Sequence, residues 1–268
     1  MLRSRNTITC IGLLLVWGCG NDLYESRLKE TNAFFVYRQN LDRVLQNGMW
    51  SHPQFSVSMR IPKGFGLLAP PAIPKEGEPQ PEDTRQPHFW NLNLPGLDGA
   101  WKGDCRCNDG STGSMYLYVC SNHQWYLDGA KNAEGPDPDL FLAELETALA
   151  TTMQVTIPPE ETSKGINVRY RETCPREGRY AIQKQFKAIT FVPPAVLPQV
   201  GLEIKAQLFE HENGPIHVAV LAIYPASIRD RIEDKLLMAL ETFSASSQVP
   251  KLQSGQATGA ASAGTKGF

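Results

Sequence analysis

The sequence has little that would suit it to nucleic acid or to spanning a membrane. Lys and Arg number 26 against 28 Asp and Glu, which gives a formal net charge of −2 at pH 7. Affinity for phosphate backbones depends on clustered basic side chains, so a nucleic acid is not an expected partner. The apolar segment at residues 8–16 is also too short to cross ~30 Å of hydrocarbon as a stable helix.

The local motifs of common enzymes and metal sites are missing as well. No G-x-S-x-G, P-loop or G-x-G-x-x-G sequence occurs, and the five histidines show no H-E-x-x-H or H-x-H spacing. We therefore predict no cofactor and no metal site. Catalytic groups assembled from distant residues leave no such local pattern, because geometry and not sequence order defines them. An enzyme thus stays open as the alternative to a binding protein.

The N-terminus has the pattern of an export signal. Arg3 and Arg5 form a positive region, and residues 8–16 form a short apolar region after it. Gly18 then places a small residue directly before Cys19. This order of positive, apolar and small residues is typical of a segment that is removed during export.

The residues before Cys19 resemble the lipobox of bacterial lipoprotein precursors. Val16 and Gly18 fit that pattern, whereas Trp17 is bulkier than the residue usually found there. The resemblance implies cleavage after residue 18 and attachment of acyl chains to Cys19, and two or more chains give stable anchoring. The expected location is the bacterial cell envelope, facing the periplasm or the exterior, with the choice of membrane open. The alternative is an ordinary signal peptide followed by a coincidental cysteine.

Four segments are expected along the chain. They are a signal peptide at 1–18, a lipidated N-terminus with an amphipathic helix at 19–54, an α+β domain at 55–243, and a disordered tail at 244–268. The helix is predicted over 22–46 because apolar residues recur there at helical spacing. The proline-rich stretch 68–95 is predicted to be a long surface loop, with Phe89 and Trp90 either anchoring it to the domain or forming an exposed contact.

Inside the domain we predict a first strand over 55–60, two hairpins, a further pair of strands at 167–172 and 180–192 around a turn at 175–178, and two helices. The first hairpin covers 101–120, and the second covers 201–224 around Asn213 and Gly214. A helix is expected to begin at Asp137, whose side chain suits an N-cap before proline. The last helix is expected to begin at Ser227, with Asp230 completing a capping box.

These patterns indicate an α+β fold, mainly an antiparallel sheet flanked by helices. The order of elements is similar to the PsbP-like α/β/α sandwich of extrinsic photosystem subunits. Two short patterns carry that resemblance, residues 60–65 closing the first strand and residues 240–243 ending the last helix. The resemblance implies accessory or adaptor roles and supplies no catalytic residues.

The cysteines of the domain are Cys105, Cys107, Cys120 and Cys174. If residues 108–113 form the turn of the first hairpin, Cys105 lies opposite Tyr116 and is about 13 Å out of register with Cys120, too far for a disulfide. A bridge from Cys105 or Cys107 to Cys174 stays open, as does thiol redox activity. The C-x-C pair alone lacks the second ligand pair of a zinc site.

Four arginines surround one predicted turn: Arg169, Arg171, Arg176 and Arg179. Guanidinium groups suit carboxylate and phosphate, so this cluster is a candidate anion contact, with a solvated charged hairpin as the alternative.

In the second hairpin, His217 is expected opposite Glu210. The aromatic residues either line a pocket or belong to the core, and they are Trp101, Tyr116, Tyr118, Trp125 and Tyr126.

Together these patterns favour a non-enzymatic exported lipoprotein that is held to the membrane by its N-terminal lipid. Its domain would bind a protein or another component of the envelope. An exported hydrolase, a thiol redox protein and a small-ligand carrier are the alternatives. The carrier hypothesis requires a deep aromatic pocket.

Overall fold

The computed structural model describes residues 21–72, 79, 81–131, 135–196 and 201–251. The signal peptide, Cys19 and the part of the predicted tail after residue 251 lie outside the described residues. The helices are α1 (Asn21–Val44), α2 (His123–Lys131), α3 (Phe141–Met153) and α4 (Ile232–Glu241). The strands are β1 (Leu45–Ser51), β2 (Val57–Pro62), β3 (Phe65–Leu67), β4 (Leu97–Arg106), β5 (Thr112–Ser121), β6 (Arg169–Cys174), β7 (Lys184–Phe191), β8 (Ile204–Asn213), β9 (Ile216–Pro225) and β10 (Ser244–Ala245).

A seven-stranded antiparallel sheet forms the centre of the fold, which confirms the predicted α+β class. Its strand order is β3-β4-β5-β9-β8-β7-β6. Strands β1, β2 and β10 form a second, three-stranded sheet. Within the described residues, no helix combines the length and the apolar character that a bilayer span requires.

The large sheet buries one apolar cluster on each face. On one face, Phe141 and Leu145 of α3 pack with Leu208 and Leu221. On the other face, the small sheet and α4 cover a cluster that is formed by alternate residues of the same strands. Because side chains alternate along a strand, both faces of the central strands are buried.

The first hairpin forms, but its predicted register is wrong by three residues. Cys105 lies opposite Gly113, and Cys120 lies opposite Leu97. The turn is tighter than expected because the Cys107 amide donates to the Ser111 carbonyl. A register shift by an odd number of residues moves the side chains of one strand to the opposite face relative to the other strand. The side-chain pairs that the sequence predicted are therefore wrong throughout this hairpin.

The register of the second hairpin is wrong by two residues. Asn213 pairs with Ile216, so Gly214 and Pro215 occupy the turn, and Leu208 pairs with Leu221. The amide of the Asn213 side chain donates to the Ala245 carbonyl instead of serving the turn. A slip of two residues keeps every side chain on its own face, so the predicted apolar face is correct.

The predicted start of the last helix is also wrong. Helix α4 begins at Ile232, with Arg231 at the N-cap position and no side-chain cap. The segment before it pairs with the end of β4, where the Asn108 amide donates to the Ser227 carbonyl. Asp230 accepts from the Lys235 side chain. Tertiary hydrogen bonds therefore outweigh the local capping pattern.

Three strands and one helix had no sequence-based prediction, and one of these strands is the short β3 at Phe65–Leu67, which pairs with β4. Strand β1 begins at Leu45, directly after α1, and belongs to the domain although the predicted boundary was residue 55. Strand β10 lies in the segment predicted as a tail, where Ser244 pairs with Ser58 of β2. Helix α2 follows β5 immediately, and its short sequence has no distinct start signal.

The α3 cap and the anchoring of the long loop match their predictions. The Asp137 side chain accepts from the Asp139 amide at the start of a 3-10 turn that leads into α3. Trp90 is buried, and the Phe89 ring lies 4.8 Å from the Tyr116 ring. The loop is therefore fastened to the domain at its C-terminal end.

Candidate functional site

A groove of about 500 Å³ lies between α1, the β6–β7 connection and α4. Tyr37 and Tyr180 form one wall, with ring centroids 5.3 Å apart. Phe34 extends this wall by an edge contact of 5.6 Å with Tyr180. Because α1 supplies part of the wall, the groove exists only when α1 is packed on the domain.

Helix α1 is held in place by a polar contact at the bottom of the groove. The Tyr37 hydroxyl donates to Oε2 of Glu241 at 2.9 Å. Burial raises the pKa of the Glu241 carboxyl and also that of the Tyr37 hydroxyl. The Tyr180 hydroxyl is buried and has no hydrogen-bond partner among the described residues. An unpartnered buried hydroxyl costs free energy in the folded protein.

The structure divides the four predicted arginines into two pairs. Arg169 and Arg171 lie at hydrogen-bond distance from carboxylates. The Arg169 guanidinium forms two hydrogen bonds with the carboxylate of Glu146, and Nε of Arg171 donates to Oε2 of Glu161 at 2.6 Å. Most N–H donors of Arg169 and Arg171 are therefore engaged in intramolecular hydrogen bonds. Neither side chain lines the groove.

Arg176 and Arg179 line the groove, and their guanidinium groups make no hydrogen bond to any residue that the structure describes. Arg176 lies 3.8 Å from Glu172, and Arg179 lies 4.0 Å from Glu30, distances too long for hydrogen bonds. Their side chains are 75% and 56% exposed. The Arg179 guanidinium also lies 5.2 Å from the centre of the Tyr180 ring. The groove therefore combines two available guanidinium groups with an aromatic wall.

All four cysteines of the domain are free and buried, so the bridge to Cys174 does not form. Cys174 lies at the groove, where burial raises the pKa of its thiol to about 12. Cys105 and Cys107 face Gly113, and a β-carbon on that glycine would lie 3.5 Å from each sulfur. A thiol with a raised pKa is a poor nucleophile, since the thiolate is the reactive form.

The described residues contain no group of three or more His, Cys, Asp and Glu side chains placed to bind a metal. The predicted aromatic set does not come together either. Trp101 belongs to one core cluster, and Tyr118 and Trp125 belong to the cluster on the opposite face of the sheet. These rings are core, and the aromatic wall of the groove comes from Tyr37 and Tyr180 instead.

The predicted pairing of His217 with Glu210 is wrong, because His217 lies opposite Glu212. Glu210 is nevertheless unusual, since it is only 3% exposed and its Oε1 atom has no partner among the described residues. Burial, reinforced by the nearby Glu146 carboxylate, raises the pKa of Glu210 to about 9. This carboxyl group therefore keeps its proton at neutral pH.

A second polar cluster lies at the opposite end of the fold and was not predicted. Leu97 pairs with Cys120 and Gly99 pairs with Val119, so Asp98 is the extra residue of a β-bulge. Bulges redirect side chains, and here the Asp98 carboxylate reaches the end of β5. The Ser121 hydroxyl donates to Oδ2 of Asp98 at 2.5 Å.

His123 continues this chain of hydrogen bonds at the start of α2. Its Nδ1 atom lies 2.7 Å from the Ser121 hydroxyl, and its ring stacks on Phe55 at 4.6 Å. His52 stacks on the other side of Phe55 at 4.4 Å. The only sequence signal is a polar trio after an apolar strand at 121–123. The partner at Asp98 depends on the bulge, which no local pattern announces.

A scan against models of protein families finds no match, and a search among curated proteins finds none either. Among solved structures, the chain is similar to a crystal structure at 1.50 Å resolution from Bacteroides thetaiotaomicron VPI-5482, with 9% identity and a TM-score of 0.29. The alignment covers 71% of this chain and 45% of that chain, so this chain spans less than half of that protein's length. At this TM-score the similarity supports no inference about fold or function.

Proposed function

We propose that the chain is a lipid-anchored binding protein of the bacterial cell envelope, and that its groove takes a ligand with an anionic group attached to an apolar or aromatic body. The observation that carries this proposal is the pairing of two kinds of group in one groove. The guanidinium groups of Arg176 and Arg179 are available to bind an anion, and the rings of Tyr37 and Tyr180 lie beside them.

Each part of the groove has a chemical role in this proposal. The planar guanidinium of Arg176 or Arg179 forms two parallel hydrogen bonds to a carboxylate or phosphate. The tyrosine rings cover the apolar part of the ligand. The Cys174 thiol stays protonated and acts as part of the wall, so binding without covalent chemistry is the expected activity.

The lipid anchor supplies the second half of the proposal. Cys19 stands two residues before the first residue of α1, and Ala33 and Tyr37 of the same helix line the groove. At ~1.5 Å per residue, Ala33 lies about 18 Å along the helix axis from Asn21. Acyl chains on Cys19 would thus keep the groove within a short distance of the membrane surface.

Ligand binding is tested with two anionic amphiphiles, anilinonaphthalene sulfonate and a long-chain fatty acid. We expect both to bind the wild-type protein at one site, and the double variant R176A/R179A to bind about tenfold more weakly or worse. The matched control is R231A, which removes an arginine that is 90% exposed and lies outside the groove. Equal affinity of the double variant and the wild type would refute the groove as the anion site.

Anchoring is tested separately in a bacterial host that processes lipoproteins. The full chain is expected to incorporate labelled palmitate and to sediment with membranes, whereas C19S is expected to lose both properties. C10S is the control, because Cys10 lies inside the apolar region of the signal. Incorporation of palmitate that is unchanged in C19S would contradict the anchor and would leave the groove proposal standing on its own.

A further inference from the structure

The Ser121 hydroxyl connects two titratable groups, and it has a single proton to share between them. Its oxygen lies 2.5 Å from Oδ2 of Asp98 and 2.7 Å from Nδ1 of His123. When it donates to Asp98, it must accept from His123, so the proton of the imidazole is on Nδ1. When it donates to His123 instead, Asp98 must be the donor, so that carboxyl must be protonated. The directions of the two hydrogen bonds are therefore coupled.

We propose that Asp98, Ser121 and His123 form a proton relay, in which protonation of the buried carboxyl group reverses both hydrogen bonds and moves the imidazole proton of His123 from Nδ1 to Nε2. In the reversal, the Asp98 hydroxyl donates to Ser121, and Ser121 donates to Nδ1 of His123. The imidazole gains a proton on Nε2 and releases the one on Nδ1, so its charge stays zero. One proton is taken up from solvent overall.

The outer end of the relay lies at a groove. His123 lines a groove that is also lined by Phe55, Ser56 and residues 248–251. No described residue makes a hydrogen bond to Nε2, and Nε2 is not among the buried side-chain atoms without a partner in the described part of the chain. His123 is only 2% exposed, so its contact with the groove is narrow, and the groove is the side from which Nε2 exchanges its proton. The reversal changes it from a hydrogen-bond acceptor into a donor, which changes the kind of ligand atom that the groove accepts.

The inner end of the relay is closed to solvent. The Asp98 side chain is 5% exposed, and Ser121 is fully buried. Burial raises the pKa of Asp98 to about 7, although the Ser121 hydrogen bond and the positive charge of Arg85 act in the opposite direction. Burial and the neighbouring His52 lower the pKa of His123 to about 4. Between these two values the imidazole stays neutral, so a change of tautomer is the only proton movement open to it.

The other groups around Asp98 do not take over its role. His52 is oriented with Nε2 4.0 Å from Oδ1 of Asp98, while its Nδ1 accepts from the amides of Gln54 and Phe55. This arrangement fixes the His52 proton on Nε2, and burial lowers the pKa of His52. The Arg85 guanidinium is paired with the Asp83 carboxylate through three hydrogen bonds. The buried Cys120 thiol has a pKa raised well above its usual range and stays neutral.

The test is a nitrogen-15 NMR titration of the folded protein with labelled histidine, from pH 5 to pH 9. H123Q identifies the His123 signals by their loss. A nitrogen with a proton and one without resonate far apart, so each tautomer and the imidazolium have separate signatures. We expect Nδ1 of His123 to be protonated at high pH and Nε2 at low pH, with a midpoint near 7. We expect D98N and S121A to abolish this exchange.

Three results would overturn the relay. They are a His123 tautomer that does not change with pH in the wild-type protein, protonation of both nitrogens at the same midpoint, and an unchanged exchange in S121A. The wild-type titration alone decides the first two, so the test does not depend on the folding of either variant.

Discussion

The hydroxyl of Tyr37 donates a 2.9 Å hydrogen bond to Glu241, and this contact joins the N-terminal helix to the last helix of the domain. We predict that Y37F lowers the free energy of unfolding by about 1 kcal/mol, because a half-buried carboxylate loses its donor. Chemical denaturation measures the change. Y24F is the control, since Tyr24 is 65% exposed, and it is expected to have no effect. A loss of the same size in both variants would show that the hydrogen bond does not hold α1.

Glu210 should make the protein less stable as the pH rises. Its pKa is raised to about 9 in the folded state, so the folded protein keeps a proton that the unfolded chain releases above pH ~4.5. The stabilising effect of that proton is complete below pH ~4.5 and is lost progressively up to about pH 9, by at most ~1.4 kcal/mol per pH unit. We therefore expect E210Q to increase stability more at pH 8 than at pH 4.5, as measured by urea unfolding at both values.

Glu212 provides the matched control for this prediction, because its pKa shift has the opposite sign. The hydrogen bond from Lys187 lowers the pKa of Glu212, so this carboxylate stabilises the fold above its usual pKa and loses that effect as the pH falls. E212Q is expected to reduce stability slightly at pH 8 and hardly at all at low pH. A gain from E210Q that is the same at both pH values would refute the buried, protonated state of Glu210.

The four cysteines of the domain should be inert in the folded protein. Each is buried, and burial raises the pKa of the thiols at positions 105, 120 and 174. In a chain with C10S and C19S, we expect reaction with a disulfide-exchange reagent to be at least about 100-fold slower in buffer than in urea. S111C adds an exposed thiol as a positive control. Rapid reaction of one native cysteine would revive the thiol redox hypothesis.

Gly96 should be irreplaceable, because its backbone has a φ of +57° and a β-carbon there would lie 2.0 Å from the Ser121 carbonyl oxygen. We expect G96A to cost at least about 3 kcal/mol of stability, since rigid backbone must move. G129A is the control, because Gly129 lies in α2 with nothing within 4 Å of a β-carbon. That substitution is expected to stabilise the helix by up to about 1 kcal/mol. Thermal unfolding of both variants gives the comparison.

Many residues of the candidate site can be noticed in the sequence, but the sequence does not show where they lie in the fold. The arginine cluster around residues 169–179 is visible in the sequence, but only the fold shows that Arg176 and Arg179 face a groove while Arg169 is engaged by Glu146. The other wall comes from Tyr37, which lies more than a hundred residues away along the chain. Long-range packing of this kind leaves no local periodicity to detect.

Local sequence patterns were sufficient to predict an element wherever the interactions that compete with it were also local. The turn signal at Asn213 and Gly214 predicted the pair β8 and β9, and a side chain that caps its own helix predicted the Asp137 N-cap. The α+β class follows from the same local patterns. Burial then favoured the predicted face of the second hairpin even though its turn moved by two residues, because side chains repeat with period two along a strand.

Tertiary structure decided the features that depend on contacts between distant segments. Ser227 and Asp230 resemble a capping box, with Asp in place of the usual Glu, yet the Ser227 carbonyl accepts from the Asn108 amide and the helix begins later. Asp98 reaches Ser121 because one extra residue in β4 turns its side chain. In both cases a hydrogen bond between distant segments decides the local structure, and local sequence preferences of similar energy were too small to determine the outcome.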